Sequence, residues 1–231
     1  MMGAMRQIRP KAIFTLIDDS RGQPLVHVPM PTRPGLGGLM LLETFLLLAC
    51  RRIVGAKRLF EFGTFLGSTT YSLALNTPDD AEIFTLDLDE ASAAGLEQPA
   101  DEVPITKLHL ERRAKLDFLG TPAERKIKLL IGDSTKLDFT PWRESINFAF
   151  IDGGHDGPTV KSDTENALQL LDRDAAGCIL WHDYGNPDCL ELKEYLDSLS
   201  ETMEMFHVQD TWLCVYFHDP DRELVARLSN I

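Results

Sequence analysis

Cysteine is scarce in this chain and is not arranged in pairs. The four cysteines stand at positions 50, 178, 189 and 214, and no two of them have CxxC spacing. Zinc knuckles and disulfide-stapled scaffolds need closely spaced cysteines, so this distribution argues against both and indicates free thiols in a reducing compartment. We therefore expect a cytoplasmic protein.

Long apolar runs and an excess of basic residues are also missing. The most apolar stretch, Leu39 to Cys50, is too short to span a bilayer and contains Glu43 and Thr44, so we interpret it as a core helix. The N-terminus has no long apolar region followed by a small-residue cleavage site, which argues against secretion. A formal net charge of −13 disfavours binding to nucleic acid. We expect a small-molecule partner, and neither a nucleic acid nor a membrane.

The most informative feature present is a set of five short apolar runs, each ending in or beside a carboxylate. The runs are strand-like in length and rich in Ile, Leu and Phe, with helical patterns between several of them, so they indicate buried parallel strands of an α/β fold. Ligands of such sheets bind beyond the carboxyl ends of the strands, which favours a cationic or polyhydroxyl ligand here. The acids at these ends are Glu61, Asp87, Asp133, Asp152 and Asp183.

The domain organisation follows from composition. Residues 1–38 are rich in proline and glycine, which favours an N-terminal arm of turns and extended segments. Residues 39–231 are enough for one sizeable core, so we expect a single domain there. A charged surface helix is predicted over LHLERRAKLDFL, near position 110, and the last two apolar runs should pair as an antiparallel hairpin.

A glycine loop follows the first predicted strand, in the segment EFGTFLGSTT. Gly63 and Gly67 permit a sharp turn, and the following helix presents unpaired N–H groups to a ligand. The dinucleotide fingerprint G-x-G-x-x-G is absent, and so is the Walker GK[ST]. The pattern E-x-G-x-x-x-G-x-T resembles motif I of the class I S-adenosylmethionine-dependent methyltransferases. The resemblance implies that the cofactor contacts Glu61, Gly63, Thr64, Gly67, Ser68 and Thr69.

Two further acids fit the same family. Asp87 comes twenty-four positions after Gly63 at the end of the second strand, where a carboxylate can accept both ribose hydroxyl protons. Asp133 and Ser134 belong to a GDS segment that lies near the adenine in this family. The alternative is a plain Rossmann-like turn with a surface Asp. The resemblance implies a Rossmann-like three-layer sandwich with a seven-stranded, mostly parallel sheet.

The segments IDGGHD and WHDY close the fourth and fifth strands, which should bring Asp152, His155, His182 and Asp183 around one crevice. From about residue 57 to 184 the chain resembles bacterial-type class I methyltransferases related to the macrocin and other sugar O-methyltransferases, and more distantly catechol O-methyltransferase. Residues 39–231 then form a methyltransferase-like domain.

The resemblance implies particular roles in this crevice. Asp152 and Asp183 correspond to acids that hold magnesium in metal-dependent relatives, and Asp152 also lies beside the cofactor. His182 departs from an all-oxygen set, so it either turns away or points to a softer ion such as manganese. His155 maps to the proton acceptor, with Asp152 as a second catalytic residue. Alternatively, Asp152 and His155 cap the next helix and bond to each other, and His182 is a satisfied, partly buried residue.

The leading hypothesis is therefore an S-adenosylmethionine-dependent O-methyltransferase acting on a small molecule, with a divalent metal ion, Mg or Mn, as a candidate assistant. N-methylation of a small amine remains open. A catalytically degenerate methyltransferase fold that only binds its ligand is the second hypothesis. A nicotinamide-dependent oxidoreductase is the third, and the glycine spacing argues against it. Because relatives often dimerise through their N-terminal segments, a homodimer is also expected.

Overall fold

The computed structural model describes residues 5–18, 24–30, 38–88, 111, 113–221 and 223–229. Within these ranges eight strands form one sheet, flanked by six α-helices. The strands are β1 (Arg6–Ile8), β2 (Arg58–Phe62), β3 (Glu82–Asp87), β4 (Ile127–Ile131), β5 (Phe148–Ile151), β6 (Gly177–Trp181), β7 (Met205–Val208) and β8 (Cys214–His218). The helices are α1 (Pro10–Phe14), α2 (Leu41–Ile53), α3 (Ser68–Leu75), α4 (Gly157–Leu170), α5 (Leu190–Ser200) and α6 (Glu223–Ser229).

The strand order in the sheet is β1-β7-β8-β6-β5-β2-β3-β4. Strand β8 runs antiparallel to β6 and β7, and every other neighbouring pair is parallel. The chain order reverses between β2 and β5, and ligands of doubly wound sheets bind at such a switch point. The predicted mixed sheet with a C-terminal hairpin is confirmed.

Both faces of the sheet are buried, so the molecule has three layers. Successive residues of a strand point to opposite faces, and Leu59 and Phe60 of β2 accordingly join different apolar clusters. The cluster around Leu59 includes side chains from α1, α2 and α3, while the cluster around Phe60 includes side chains from α4 and α5. This is the Rossmann-like sandwich that the resemblance implied.

The eighth strand, β1, comes from the region predicted as an arm. It lies parallel to β7 at the edge of the sheet, with Arg6 opposite Phe206, and α1 follows it. Sequence patterning does not predict this strand, because three residues, RQI, are too short for a periodic pattern. The seven predicted strands are thus present with one short addition.

The helix predicted over LHLERRAKLDFL is wrong from residue 113 onward, although Glu111 is helical. Residues 113–115 form a single 3-10 turn, and turns follow it. Leu116 and Phe118 are buried but Leu119 is exposed, so the leucines do not make one helix side. Phe118 packs over Gly67, which draws the chain into the glycine loop. Residues 108–110 and 112 lie outside the described residues. None of the described helices has the length and apolarity to cross a membrane.

Candidate active site

Five carboxylates stand in a row along one edge of the sheet. Because the five central strands are parallel, the residues that close them meet at the same edge. Following the strand order from β6 to β4, the row runs Asp183, Asp152, Glu61, Asp87 and Asp133. The switch point between β2 and β5 falls in this row, between Glu61 and Asp152.

The loop after β2 needs glycine at two positions. Gly63 has a φ of +97°, and a Cβ there would lie 2.2 Å from the carbonyl oxygen of Asp152. Gly67 has a φ of +80° and precedes α3 as its N-cap. The N–H of Tyr71 donates to the Gly67 carbonyl and is the first to bond within the helix, so the first-turn amides of Ser68 and Thr69 face the loop. The loop therefore has a backbone lining that a ligand can approach.

Glu61 is a buried acid beneath this loop. The hydroxyls of Thr70 and Thr85 donate to its Oε2, and the Thr64 hydroxyl lies 2.7 Å from that of Thr85. Its other oxygen, Oε1, has no hydrogen-bond partner among the described residues. Burial, together with the charges of Asp152 and Asp87, outweighs the two hydroxyls and raises the pKa of Glu61 to about 8. A buried carboxyl with one bare oxygen is suited to a cationic ligand.

Asp87 and Asp133 lie at the same edge of the sheet but differ in burial and in hydrogen-bond partners. Asp87 closes β3 and is buried, and its Oδ1 accepts the N–H of Leu88. The neighbouring Leu86 carbonyl accepts the N–H of Gly63 at 2.9 Å, so Asp87 lies beside the glycine loop. Asp133 bonds within its own turn instead, to Thr135 and Lys136.

Ser134 leads to a buried acid on α4. Its hydroxyl bonds to Asp163, which is 1% exposed. Burial raises the pKa of Asp163 to about 7, and the charges of Asp156 and Asp133 add to the effect. The Asp163 carboxylate also faces Gly153, so it supports the loop that follows β5.

His155 is joined to Asp183. Its Nε2 lies 3.0 Å from Asp183 Oδ2, while the other oxygen, Oδ1, accepts from the Asn186 side chain at 2.8 Å. A carboxylate facing Nε2 places the proton there and leaves Nδ1 as the basic nitrogen. Asp183 adopts a left-handed backbone, with a φ of +61°, which aims its side chain at the histidine. His155 itself is partly exposed.

His182 lies among three carboxylates. Its Nδ1 is 3.0 Å from Asp183 Oδ2 and 3.2 Å from Asp152 Oδ1, and its Nε2 is 3.2 Å from Glu43 Oε2. Burial alone would lower the pKa of His182, but the charge of Asp152 and hydrogen bonds to all three carboxylates raise it to about 12. The contacts with His155 and His182 hold the pKa of Asp183 well below its usual range despite its burial.

The structure brings together the four crevice residues but departs from the alternative interpretation of them. The helix after β5 is capped by Asp156, whose Oδ1 accepts the Thr159 N–H at 3.0 Å. Asp152 and His155 are not that cap, and the partner of His155 is Asp183. His182 does not turn away from the two acids.

Glu43 is the residue that sequence reasoning missed. It lies in the first turn of α2, is 1% exposed and contacts His182 across 139 positions of sequence. The available signal was a carboxylate within the most apolar stretch of the chain, because buried acids are rare unless they are paired.

Two groups of described residues have metal-ligating atoms within 4.8 Å of one another. They are Asp152 with His182 and Asp183, and His155 with Asp183 and Cys189. Magnesium prefers oxygen ligands, so the thiol of the second group does not suit it. The first group offers two carboxylate oxygens and one ring nitrogen, a mixed set that suits a softer ion such as manganese better than magnesium. The predicted ligands Asp152, Asp183 and His182 therefore lie together, and a metal site there stays a prediction.

A methyltransferase-domain family model matches residues 60–184, which is more than half of the chain. The chain therefore belongs to this family of methyltransferases. The match begins in β2 and ends just after Asp183, so it contains the glycine loop, the row of acids and His155. The residue Glu43 lies outside it.

Solved structures of methyltransferases share the fold. TomG, an O-methyltransferase from Streptomyces achromogenes solved with SAM, is 14% identical, with a TM-score of 0.53 over 93% of this chain and 92% of TomG. An O-methyltransferase from Bacillus cereus, in complex with SAH, is 15% identical, with a TM-score of 0.51 over 78% of this chain and 82% of its own. SAH-bound PaMTH1 from Podospora anserina is 18% identical, with a TM-score of 0.51 over 78% and 79%. No sequence among the curated proteins matches the chain. The fold is that of the class I S-adenosylmethionine-dependent methyltransferases.

Proposed function

We propose that this protein transfers a methyl group from S-adenosylmethionine to a hydroxyl group of a small molecule, with His155 as the general base. The observation that carries the proposal is the contact between His155 Nε2 and Asp183 Oδ2 at 3.0 Å. The carboxylate faces Nε2 rather than Nδ1 of a partly exposed ring, which lies at the same sheet edge as the glycine loop. A base beside a cofactor loop is the arrangement that hydroxyl methylation needs.

The cofactor fits the residues of the loop. Glu61 Oε1 is a buried oxygen without a partner in the described residues, which suits the ammonium group of the methionine moiety. Gly63 leaves the backbone open where any side chain would collide with Asp152, and the first-turn amides of Ser68 and Thr69 suit the carboxylate. Asp87, next to the loop, suits the ribose hydroxyls.

The chemistry assigned to the chain is positioning and deprotonation. When bound, S-adenosylmethionine supplies an electrophilic methyl group on a sulfonium, which is a good leaving group. Nδ1 of His155 takes the proton of the acceptor hydroxyl while the hydroxyl oxygen attacks the methyl carbon. Asp183 keeps the ring oriented through Nε2 and stabilises the imidazolium that forms. The products are a methyl ether, a neutral thioether and a proton on His155.

The surroundings of the base support a small acceptor with an apolar part. The Trp212 ring lies 6.1 Å from the ring of His182 and is 39% exposed. Met40 and Leu41 are exposed at the start of α2. Glu43, in the same turn of that helix, accepts the N–H of Trp212. These side chains can cover an apolar skeleton while a hydroxyl faces His155.

Calorimetry with S-adenosylmethionine, followed by single-turnover assays on a panel of phenols, sugars and amines, tests this proposal. We expect saturable heat with the cofactor and transfer to a hydroxyl that fails in His155→Gln. A protein that shows no heat at high cofactor concentration would not be a methyltransferase of this kind. Turnover of an amine with no dependence on His155 would instead indicate N-methylation.

A further inference from the structure

His155, Asp183 and Cys189 bring three different metal-ligating groups together at one side of the crevice. A ring nitrogen of His155, a carboxylate oxygen of Asp183 and the Sγ atom of Cys189 all lie within 4.8 Å of one another. Within this group, His155 Nε2 and Asp183 Oδ2 are 3.0 Å apart. The ligand atoms of a tetrahedral zinc ion stand about 3.3–3.8 Å from one another, so the observed spacing brackets the separation that zinc requires.

The chemistry of the three groups selects among cations. A thiol, an imidazole and a carboxylate are the ligand types that zinc takes in proteins, whereas magnesium and calcium take oxygen ligands. Three protein ligands also leave a fourth position of the tetrahedron open to water. The group therefore suits a thiophilic divalent cation and does not suit magnesium.

Hydrogen bonds to Asn186 hold two of the three ligands in place. The side-chain amide of Asn186 donates to Asp183 Oδ1 at 2.8 Å, which leaves Oδ2 facing His155. The backbone carbonyl of Asn186 accepts the N–H of Cys189 at 3.1 Å. Left-handed backbone at Asp183 and Gly185, with φ values of +61° and +89°, turns the chain between the two ligands. This loop thus directs a carboxylate and a thiol to the same space.

A separate hydrogen bond fixes the segment that carries the third ligand. His155 lies just before α4, and the N–H of Gly157, the first residue of α4, donates to Glu191 Oε2 at 2.8 Å in the first turn of α5. Cys189 is the N-cap of α5, so this bond ties the histidine to the helix that carries the thiol. Such outer hydrogen bonds raise metal affinity, because they orient the ligands in advance. The His155 side chain is 27% exposed, which gives an ion a path of entry.

We propose that His155, Asp183 and Cys189 form a binding site for a thiophilic divalent cation such as Zn²⁺, and that an ion bound there stops methyl transfer. The binding of the ion follows from the geometry and the ligand types. Its effect on activity rests on the proposed function, in which Nδ1 of His155 accepts a proton. A histidine that ligates a metal through one ring nitrogen carries its hydrogen on the other, so a ring ligated through Nε2 cannot act as that base.

Cys189 is the residue that distinguishes this site from the neighbouring group of Asp152, His182 and Asp183. Asp183 belongs to both groups, and its Oδ2 lies 3.0 Å from a nitrogen of each histidine ring. Cys189 belongs to one group only and is 5% exposed. A signal that depends on Cys189 therefore reports an ion in the thiol-containing group.

The first experiment measures zinc binding to the full-length protein by competition with a chromophoric chelator. Wild type is compared with Cys189→Ala and with Cys50→Ala, a buried thiol of α2 in the apolar cluster on the opposite face of the sheet. We expect saturable binding to the wild type, a Kd that rises about 100-fold or more in Cys189→Ala, and a Kd within about threefold in Cys50→Ala. Equal affinities in the three proteins, or no saturable binding to the wild type, would overturn the proposal.

The second experiment identifies the ligand with Co²⁺ in place of zinc. Bound cobalt gives a thiolate-to-metal charge-transfer band in the near ultraviolet only where a cysteine sulfur ligates it. We expect this band in the wild type and in Cys50→Ala, and its loss in Cys189→Ala with the circular dichroism of the fold retained. A wild-type cobalt complex without the band would contradict the proposal, and this spectrum does not depend on the folding of any variant.

The third experiment tests the effect on methyl transfer, as the ratio of kcat without and with saturating Zn²⁺ in the same protein. We expect zinc to lower kcat about 100-fold or more in the wild type and in Cys50→Ala, and less than about threefold in Cys189→Ala. An equal decrease in all three proteins would show that zinc inhibits from another place. The two failures are distinct: a protein that gives the cobalt band but transfers no methyl group refutes only the proposed function, and methyl transfer without the band refutes only this inference.

Discussion

Gly63 lies directly against the main chain of Asp152, and a Cβ at Gly63 would be 2.2 Å from the Asp152 carbonyl oxygen. The two residues belong to adjacent strand ends, and the N–H of Asp152 donates to the Phe62 carbonyl at 2.9 Å. No rotamer can relieve a clash between backbone and Cβ, so these strand ends must separate if the glycine is replaced. The loop and the acid of the crevice are thus one rigid unit.

Gly63→Ala should therefore unfold more easily and bind S-adenosylmethionine poorly. The matched control is Gly120→Ala, because Gly120 has a φ of +73° but no atom within 4 Å of an added Cβ. We expect about 1 kcal/mol lost in the control from backbone strain alone, and about 2–4 kcal/mol in Gly63→Ala. Urea unfolding measures both free energies, and equal losses would contradict the close approach.

Asp87→Asn should weaken cofactor binding without weakening the fold. An amide has one acceptor oxygen, whereas a carboxylate has two, so the Asn side chain cannot accept hydrogen bonds from both ribose hydroxyls in the same way. We therefore expect the Kd for the cofactor to rise about 10- to 100-fold. Calorimetry measures the change, with Asp80→Asn as the control, because Asp80 is an exposed partner of Lys57. An unchanged Kd in Asp87→Asn would place the ribose elsewhere.

Glu61→Gln should stabilise the cofactor-free protein at high pH. The folded state holds the Glu61 proton up to about pH 8, whereas the unfolded chain releases it near the ordinary glutamate pKa of 4.5. The unfolded state thus binds fewer protons between these values, so stability contributed by this group falls as pH rises through that window. Because Gln cannot ionise, the variant does not lose this stability as the pH rises.

Thermal unfolding of Glu61→Gln and wild type, at about pH 6 and about pH 9, measures this effect. The advantage of the variant should grow by about 2–4 kcal/mol toward the higher pH. Glu82→Gln, which replaces a partly exposed acid on β3, should show no such growth. A pH-independent difference would mean that Glu61 is already ionised in the folded protein.

His155→Gln should lower kcat by about 10²- to 10⁴-fold, which is the range for loss of a general base. Cofactor affinity should stay within about threefold, because the ring contacts Asp183 rather than the glycine loop. His218→Gln is the control, since His218 is partly exposed and its ring contacts the Arg173 carbonyl, at the end of the sheet opposite the row of acids. Initial-rate assays of methyl transfer give kcat. A similar kcat in both variants would show that His155 is not the general base.

The sequence predicted the row of acids well because its geometry is a property of parallel sheets. Each apolar run ends in a polar residue, and parallel strands bring those ends to one edge whatever the loops do. For the same reason the sequence placed His155 near Asp183, since both follow adjacent strands. The family motifs then pointed to the glycine loop.

The partners of each side chain were not predictable in the same way. His155 bonds to Asp183 because of a left-handed turn at Asp183, and a single sequence does not reveal which non-glycine residue takes that conformation. Glu43 reaches His182 only because α2 packs over β6, a tertiary contact between distant segments. Buried ion pairs of this kind depend on packing that periodicity does not describe.

Strand β1 has a consequence for how the sheet is completed. Its partner β7 emerges from the ribosome about 200 residues later, so this pairing has one of the longest sequence separations in the molecule. The methyltransferase core from β2 to β6 can assemble while the first residues still have no strand to join. Closing the edge is thus a late event of biosynthesis, and until β7 emerges β1 has no strand partner within its own chain.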